Sequence, residues 1–220
     1  MVTWVLLNGQ PPENRQQMDI ELFSRYFLAT FFLMIGVLFS CRVLGQQQRG
    51  GYAVIHYGAS RSGTWWHRQL FNLFRAAILG ICVMRVLWPE TDAWLGILGW
   101  LYQPLVLSAG ILLLLIAFGL VSFIQGFLGS DWRSGIDTSH PPPLITEGPF
   151  RYSRNPTYIA VMLAQLGFFM ALPSLFSLVC LVVGVVVLIR QAHSEERELE
   201  QLHGPAYRAY CEQVPRWLVR

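Results

Sequence analysis

The chain has 220 residues, of which 54% are apolar and only 13% are charged, and its mean hydropathy is +0.42. These values exclude an ordinary soluble domain, and the net charge of +3 gives no reason to expect a nucleic-acid partner. They favour membrane helices, because an apolar run of about 17–25 residues is long enough to cross the hydrocarbon of a bilayer.

Five apolar runs predict five membrane-spanning helices. They lie at Ile20–Val43, at Leu70–Trp88, within Trp94–Phe127, at about Thr157–Leu172 and at about Ser174–Ile189. The third run is too long for one perpendicular span, so it either begins as an interfacial piece before Gln103-Pro104 or tilts. Because Leu172-Pro173-Ser174 leaves room only for a tight turn, the last two runs are expected to form an antiparallel hairpin.

The sequence therefore predicts an all-α polytopic membrane protein with two integrated parts. Residues 1–129 form a scaffold of three spans, and residues 130–220 form a functional module in which the hairpin is joined to a cytosolic tail. Between the first two spans, Gln46–Gly63 is rich in Gln, Gly and Ser and predicts a mobile cytosolic loop. Asp131–Thr146 contains three consecutive prolines, which cannot continue a helix and indicate an extended connector.

The arginines predict the orientation, because cytoplasmic loops are enriched in Lys and Arg. The chain has no Lys, and most of its Arg residues surround the first loop, lie in the third or follow the last span. Arg15, Arg25 and Arg85 argue for the opposite orientation, but Glu13, Asp19 and Glu21 lie near the first two. The second loop, Pro89–Asp92, is acidic, and the hairpin turn carries no charge. We therefore expect the C-terminus and the functional module to face the cytosol and the N-terminus to lie outside, in the inner or plasma membrane if the protein is bacterial. No cleavable signal is apparent, so the first span should remain as the insertion signal.

A first polar cluster, Gly148–Tyr158, stands directly before the fourth run. Asn155 can cap a helix whose first residue is Pro156, and the N-terminus of a helix suits a carboxylate or phosphate. Taken alone, the cluster fits a capped membrane helix with two Arg at the headgroups better than it fits a binding site. The candidate side chains in it are Arg151, Tyr152, Arg154 and Tyr158.

A second cluster, Glu195-Glu196, follows the fifth run. Leu199 and Leu202 keep one face apolar beyond it, and Tyr207 and Tyr210 lie three apart after the break at Gly204-Pro205. This pattern indicates a tail that folds back against the membrane face and brings a Glu into a partly dry site. A carboxylate there can hold an ammonium group or ribose hydroxyls. Because the hairpin makes a U-turn through the membrane, both clusters should meet on one side.

Together, these features over Ile145–Arg216 resemble the isoprenylcysteine carboxyl methyltransferase and phospholipid methyltransferase superfamily of integral membrane enzymes. The resemblance implies S-adenosylmethionine (SAM) as cofactor, in a pocket that the tail closes on the cytosolic side. It also implies that Glu195 holds the amino group of the cofactor. The positions that match the family's cofactor-binding residues are Gly148, Tyr152, Arg154, Asn155, Pro156, Tyr158, Glu195, Glu196, Tyr207 and Tyr210.

The chain departs from the family pattern at two positions. Many members have His where this chain has Asn155, which cannot carry charge, so a protonation role there is excluded. The catalytic Arg of the prenylcysteine enzymes falls on Gln191, with Arg190 adjacent. Arg190 is therefore the catalytic candidate, positioned to pair with the carboxylate of an acceptor.

The leading hypothesis is a SAM-dependent methyltransferase whose lipophilic acceptor enters from the bilayer, first of all an isoprenylcysteine-like carboxylate. A phospholipid amine and a small hydrophobic thiol remain open as acceptors. A second class is an NADPH-dependent membrane reductase of the sterol-reductase type, whose C-terminal part is similar. A transporter or scaffold is disfavoured, because the fourth and fifth runs carry no ionisable residue near the bilayer midplane. No metal is expected, since the five His residues lack ligand-like spacing.

Overall fold

Six α-helices run through the residues that this computed structural model describes, which are 12–50, 63–129 and 143–218. In chain order they are α1 (Pro12–Gly50), α2 (Gly63–Leu87), α3 (Pro104–Leu128), α4 (Pro156–Ala171), α5 (Leu175–His203) and α6 (Pro205–Gln213). Short 3-10 turns cover Pro89–Trp94 and Gly148–Arg151. The prediction of an all-α membrane protein is confirmed.

Four of the helices are long and apolar enough to cross a bilayer by length and composition. The spans within them are Gln17–Gly45, Gln69–Leu87, Pro104–Leu128 and Leu175–His203. The fourth predicted span, α4, is apolar but has only 16 residues, which corresponds to about 24 Å at 1.5 Å per residue. Each of the five predicted runs therefore contains an α-helix, and four of these helices reach full membrane length.

The structure refines the boundaries of the predicted runs. The third helix begins only at Pro104, and the preceding stretch is a 3-10 helix followed by turns, as expected for an interfacial piece. The loop predicted over Gln46–Gly63 begins too early, because α1 continues to Gly50 through Gln and Arg residues that favour helix. The rest of that loop, 51–62, lies outside the described residues, as does most of the connector predicted over Asp131–Thr146.

Helices α3 and α4 approach so closely that their contact requires glycine. A Cβ atom on Gly110 would lie 2.6 Å from the carbonyl carbon of Met170, and one on Gly167 would lie 2.9 Å from the amide nitrogen of Leu114. Around this crossing, Leu28, Phe31, Leu114 and Phe168 belong to a buried apolar core. Many large apolar side chains outside it are exposed, as expected for helices that face lipid.

The hairpin turn is fixed by hydrogen bonds. Ser174 caps α5 and exchanges hydrogen bonds with Ser177, and Ser177 also donates to the Leu172 carbonyl at 2.5 Å. The loop before α3 pairs with this turn through Leu98 N–H to Pro173 O at 2.9 Å and Leu175 N–H to Gly96 O at 2.9 Å. The tight turn predicted between the last two runs is confirmed. It defines the turn end of the bundle; the other ends of α4 and α5 define the site end.

A buried ionic network braces the turn end. Asp92 accepts from the Arg85 Nε at 2.5 Å and from the Arg25 Nη2 at 2.8 Å, which joins α1 to α2. The Arg85 side chain is completely buried, and its Nη2 also lies 3.4 Å from the hydroxyl of Tyr102. The acidic second loop therefore neutralises Arg side chains of two helices.

Candidate functional site

The first polar cluster begins with a turn that requires glycine. Gly148 has φ +57°, and a Cβ atom there would lie 2.5 Å from the ring of Phe127 on α3. A 3-10 turn over Gly148–Arg151 follows, and the chain then reaches Asn155 and the first residue of α4, Pro156. The close packing against α3 holds the start of α4 at the site end.

Asn155 occupies the cap position of α4 but does not cap it with its side chain. The sequence therefore predicted the helix start correctly and the capping bond wrongly. The amide Nδ2 donates to Glu196 Oε1 at 2.8 Å. A bond to a carboxylate is charge-assisted, and it fixes the amide in an orientation in which its oxygen does not accept from the first turn of α4. The Ser153 hydroxyl forms a hydrogen bond just before the helix and accepts from the Asn155 N–H at 3.1 Å.

Glu196 is where the two clusters meet. Its carboxylate accepts from the Arg216 Nε at 3.0 and 3.1 Å and pairs with the Arg216 Nη2 at 2.9 Å. The Arg154 Nη1 lies 3.5 Å from Glu196 Oε2, the oxygen that also pairs with the Arg216 Nη2. We call Arg154, Asn155, Glu196 and Arg216 the Glu196 clasp. Residues far apart in the sequence thus converge at the site end, as the hairpin predicted.

Backbone hydrogen bonds and His193 hold the tail in the clasp. Arg154 N–H donates to Pro215 O at 3.0 Å, and the Ser153 hydroxyl donates to Arg216 O at 2.9 Å. The Arg216 Nη1 lies 2.8 Å from His193 Nε2, and His193 Nδ1 lies 2.6 Å from Ile189 O. If Nδ1 donates to that carbonyl, Nε2 is left as an acceptor for Arg216. The hydrogen bond with Glu196 raises the pKa of the Arg216 guanidinium and keeps it charged.

Tyr207 and Tyr210 form a small apolar core under the tail. Both are buried, their ring centroids are 6.1 Å apart, and Val214 packs with them. The Tyr210 hydroxyl donates to Phe150 O at 2.6 Å, which ties α6 to the first cluster. Burial raises the pKa of Tyr210 to about 12, and it also raises the pKa of Tyr207. Both phenols are therefore neutral at ordinary pH and hold the tail in place.

The remaining predicted residues differ in how they are placed. Glu195 is half-buried and its Oε1 accepts from the Gln191 Nε2 at 2.9 Å. Tyr158 is half-buried in the first turn of α4, whereas Tyr152 is 71% exposed. Arg190 is exposed, and the neighbouring Gln191 is buried. The structure thus brings Arg154, Asn155 and Glu196 together but leaves Tyr152 and Arg190 outside that contact.

Sequence reasoning did not assign a site role to Ser153, His193, Cys211 or Arg216. Arg216 was visible only as part of a terminal Pro-Arg pair, and its salt bridge depends on the path of the tail after α6. His193 precedes Glu196 by three residues, so both lie on neighbouring turns of α5, a spacing that could have signalled a shared partner. Cys211 lies 2.6 Å from the Arg154 Nη1, and nothing in its sequence context indicates this.

The apolar helices of the described residues define an integral membrane protein. Its charged site lies at the site end, beside the start of α4 and the C-terminal half of α5. Residues 105–206, from the start of α3 into α6, match the family model described as phospholipid methyltransferase. This match agrees with the superfamily that the sequence resembles and indicates a membrane methyltransferase, a group whose enzymes generally use SAM. Comparison with curated proteins and with solved structures found no match.

Proposed function

We propose that this protein transfers a methyl group from SAM to a lipophilic acceptor that enters from the bilayer. The observation that carries the proposal is the Glu196 clasp, since it holds the tail across the start of α4 and next to the half-buried Glu195. A charged cofactor needs such a polar recess, and an acceptor dissolved in lipid can reach it at the end of the hairpin. The family match over 105–206 supports methyl transfer as the chemistry.

In this proposal the two acidic residues have different tasks. The Glu196 carboxylate already accepts from Asn155 and Arg216 and pairs with Arg154, so its four lone-pair sites are largely used. Glu196 therefore holds the tail. Glu195 lies at the same end of α5, is partly accessible, and binds the amino group of the cofactor. The N-terminus of α4, where a helix carries a partial positive charge, binds the carboxylate of the cofactor.

The chemistry requires little from the protein beyond alignment. When bound, SAM supplies an electrophilic methyl group on a sulfonium sulfur. The chain has to hold the acceptor in line with that group and keep water away, which is the work of the tail packed over the site. The clasp also keeps Arg154 and Arg216 each paired with the Glu196 carboxylate, which lowers the cost of holding these charges in a partly buried site.

We infer that the site faces the cytosol. Six arginines belong to the segments at the site end: Arg151, Arg154, Arg190, Arg197, Arg208 and Arg216. The turn end holds Arg25 and Arg85, which are both paired with Asp92. An excess of Arg on one side is typical of the cytoplasmic face. Reaction of single-cysteine variants with an impermeant thiol reagent on intact cells would test this, with labelling at the turn end and none at the site end as the expected result.

The carboxylate acceptor depends on Arg190, which is exposed next to Gln191. If Arg190 anchors such an acceptor, Arg190→Ala will abolish methylation of a prenylcysteine analogue while SAM affinity stays the same. Unchanged turnover would remove Arg190 from the reaction. The exposed Arg197→Ala, two turns further along α5, is the matched control.

Binding of the cofactor tests the proposal as a whole. Purified protein is titrated with SAM and, separately, with NADPH, which distinguishes a methyltransferase from a reductase. We expect SAM to bind to the wild type. Glu195→Gln should lower the affinity for SAM about 10- to 100-fold, because a charge-assisted hydrogen bond contributes about 1.5–3 kcal/mol. Glu200→Gln, an exposed Glu on the same helix, should bind SAM like the wild type. Binding of NADPH but not SAM would overturn the proposal.

A further inference from the structure

One buried amide at the site end has an unused hydrogen-bonding atom. Gln191 is only 6% exposed, and its Nε2 donates to Glu195 Oε1 at 2.9 Å. Its Oε1 is buried and has no hydrogen-bond partner. Leaving a buried acceptor unsatisfied costs about 1–3 kcal/mol, so such an atom needs a water or a ligand to complete it.

The unpaired oxygen lies on a face of α5 that turns toward the other helices. Gly184, Leu188, Gln191 and Glu195 follow one another at spacings of three and four residues and define what we call the inward face of α5. At its deeper end, Gln165 of α4 lies against Gly184, where a Cβ atom would meet the amide group. The Gln165 Oε1 is buried and unpartnered as well. Two unused oxygens thus lie along one face, about two helical turns apart.

This face presents hydrogen-bond acceptors to whatever occupies it. Glu195 adds a carboxylate next to the Gln191 oxygen. The adjacent Arg190 is exposed instead of buried with Gln191, because a step of one residue rotates a side chain by about 100° around a helix. A carboxylate placed here would face oxygen atoms that repel it, whereas an N–H group could donate a hydrogen bond to Gln191 Oε1.

We propose that Gln191 selects the methyl acceptor and favours a lipid-borne amine over a carboxylate. This deepens the proposed function and rests on it. The ammonium form of the acceptor first gives a proton to water. The lone pair of the resulting amine then attacks the methyl carbon of SAM, the carbon–sulfur bond breaks, and its electrons remain on sulfur as the neutral thioether. One N–H of the amine donates to Gln191 Oε1 and orients the lone pair, so Gln191 is a positioning residue.

The test compares two acceptors that differ only in the reacting group, a long-chain primary amine and the fatty acid of the same chain length. Methyl transfer from radiolabelled SAM is measured for each, and the ratio of the two kcat/KM values is the readout. We expect the wild type to favour the amine. Gln191→Leu should lower kcat/KM for the amine about tenfold, and Gln191→Arg should shift the ratio toward the carboxylate about 100-fold.

Two controls separate a selective role from a structural one. Gln201→Leu changes an exposed Gln of the same helix and should leave the ratio unchanged. The dissociation constant of SAM is measured for each variant. If Gln191 only positions Glu195, its substitution will weaken SAM binding and lower kcat/KM equally for both acceptors.

The outcomes distinguish this proposal from the one on which it rests. A wild type that prefers the fatty acid, or a ratio unaffected by Gln191→Leu, overturns the selection role of Gln191 but leaves a SAM-dependent methyltransferase. Methylation of neither acceptor by a protein that binds SAM also overturns it. Failure of the wild type to bind SAM overturns the proposed function itself.

Discussion

Replacing Glu196 by Ala should release the tail from the site end. The substitution removes the acceptor for Asn155 and the charge partner of the two arginines of the clasp, and it leaves the largely buried Arg154 without its carboxylate. Removing one partner of a buried ion pair costs about 3–5 kcal/mol. The Arg216 side chain is 35% exposed and its charge is partly hydrated, so we place the loss at the lower end, about 3 kcal/mol.

Hydrogen exchange at one amide measures this loss directly. Arg154 N–H donates to Pro215 O, so this proton is protected only while the tail is docked. At about 1.4 kcal/mol per tenfold change, the expected loss accelerates its exchange about 100-fold. The amides in the middle of α3 should exchange as in the wild type, since they lie outside the clasp.

Glu200→Ala is the matched control for this prediction. Glu200 lies one turn further along α5 and pairs with Arg208 at 3.6 Å, but the two side chains are 49% and 62% exposed. An exposed pair of this kind contributes at most about 1 kcal/mol, so exchange at Arg154 should change less than fivefold. If Glu196→Ala behaves like Glu200→Ala, the clasp does not hold the tail and the reasoning is refuted.

Two further perturbations test the helix crossing and the tail. Gly110→Val should clash with the backbone of α4 and lower the melting temperature, at a cost in stability of about 1–3 kcal/mol or more. Gly119→Val is the control, since Gly119 lies on the open side of α3 and its substitution should cost much less. Equal losses of stability in the two variants would contradict the close approach of α3 and α4. Burial raises the pKa of Tyr210 from about 10 to about 12, so its contribution to stability is complete below pH 10 and is lost between pH 10 and 12. The difference in phenolate absorbance between the wild type and Tyr210→Phe reports the ionisation of Tyr210 and should rise near pH 12. A rise near pH 10 would show that the Tyr210 phenol is accessible and would contradict its burial under the tail.

The spans and the hairpin could be predicted because they depend on local properties of the chain. The length of an apolar run decides whether a helix can cross a bilayer, and a Pro-Ser pair between two runs leaves only a turn. The helix start at Pro156 followed for the same reason. Gly110 and Gly167 could not be recognised, because their role depends on which two helices cross and at what depth.

Within the site, the sequence predicted which clusters would meet but not how each side chain would be used. Glu195 and Glu196 point in directions about 100° apart on α5, and only packing decides which of them reaches Arg154. The same limit applies to Arg190 and Gln191. Asn155 was expected to cap its own helix, but its amide nitrogen donates to a carboxylate from another helix, and a sequence does not reveal that partner.

The short length of α4 has a consequence for the surrounding lipid. A bilayer has a hydrocarbon layer of about 30 Å, roughly 6 Å more than α4 can cover. The membrane beside this helix must become thinner, or the start of α4 must sink below the headgroups. Where the bilayer becomes thinner, the polar part of an adjacent lipid is brought to the depth of Asn155, so a membrane-bound molecule can present its head to the protein without being extracted from its leaflet.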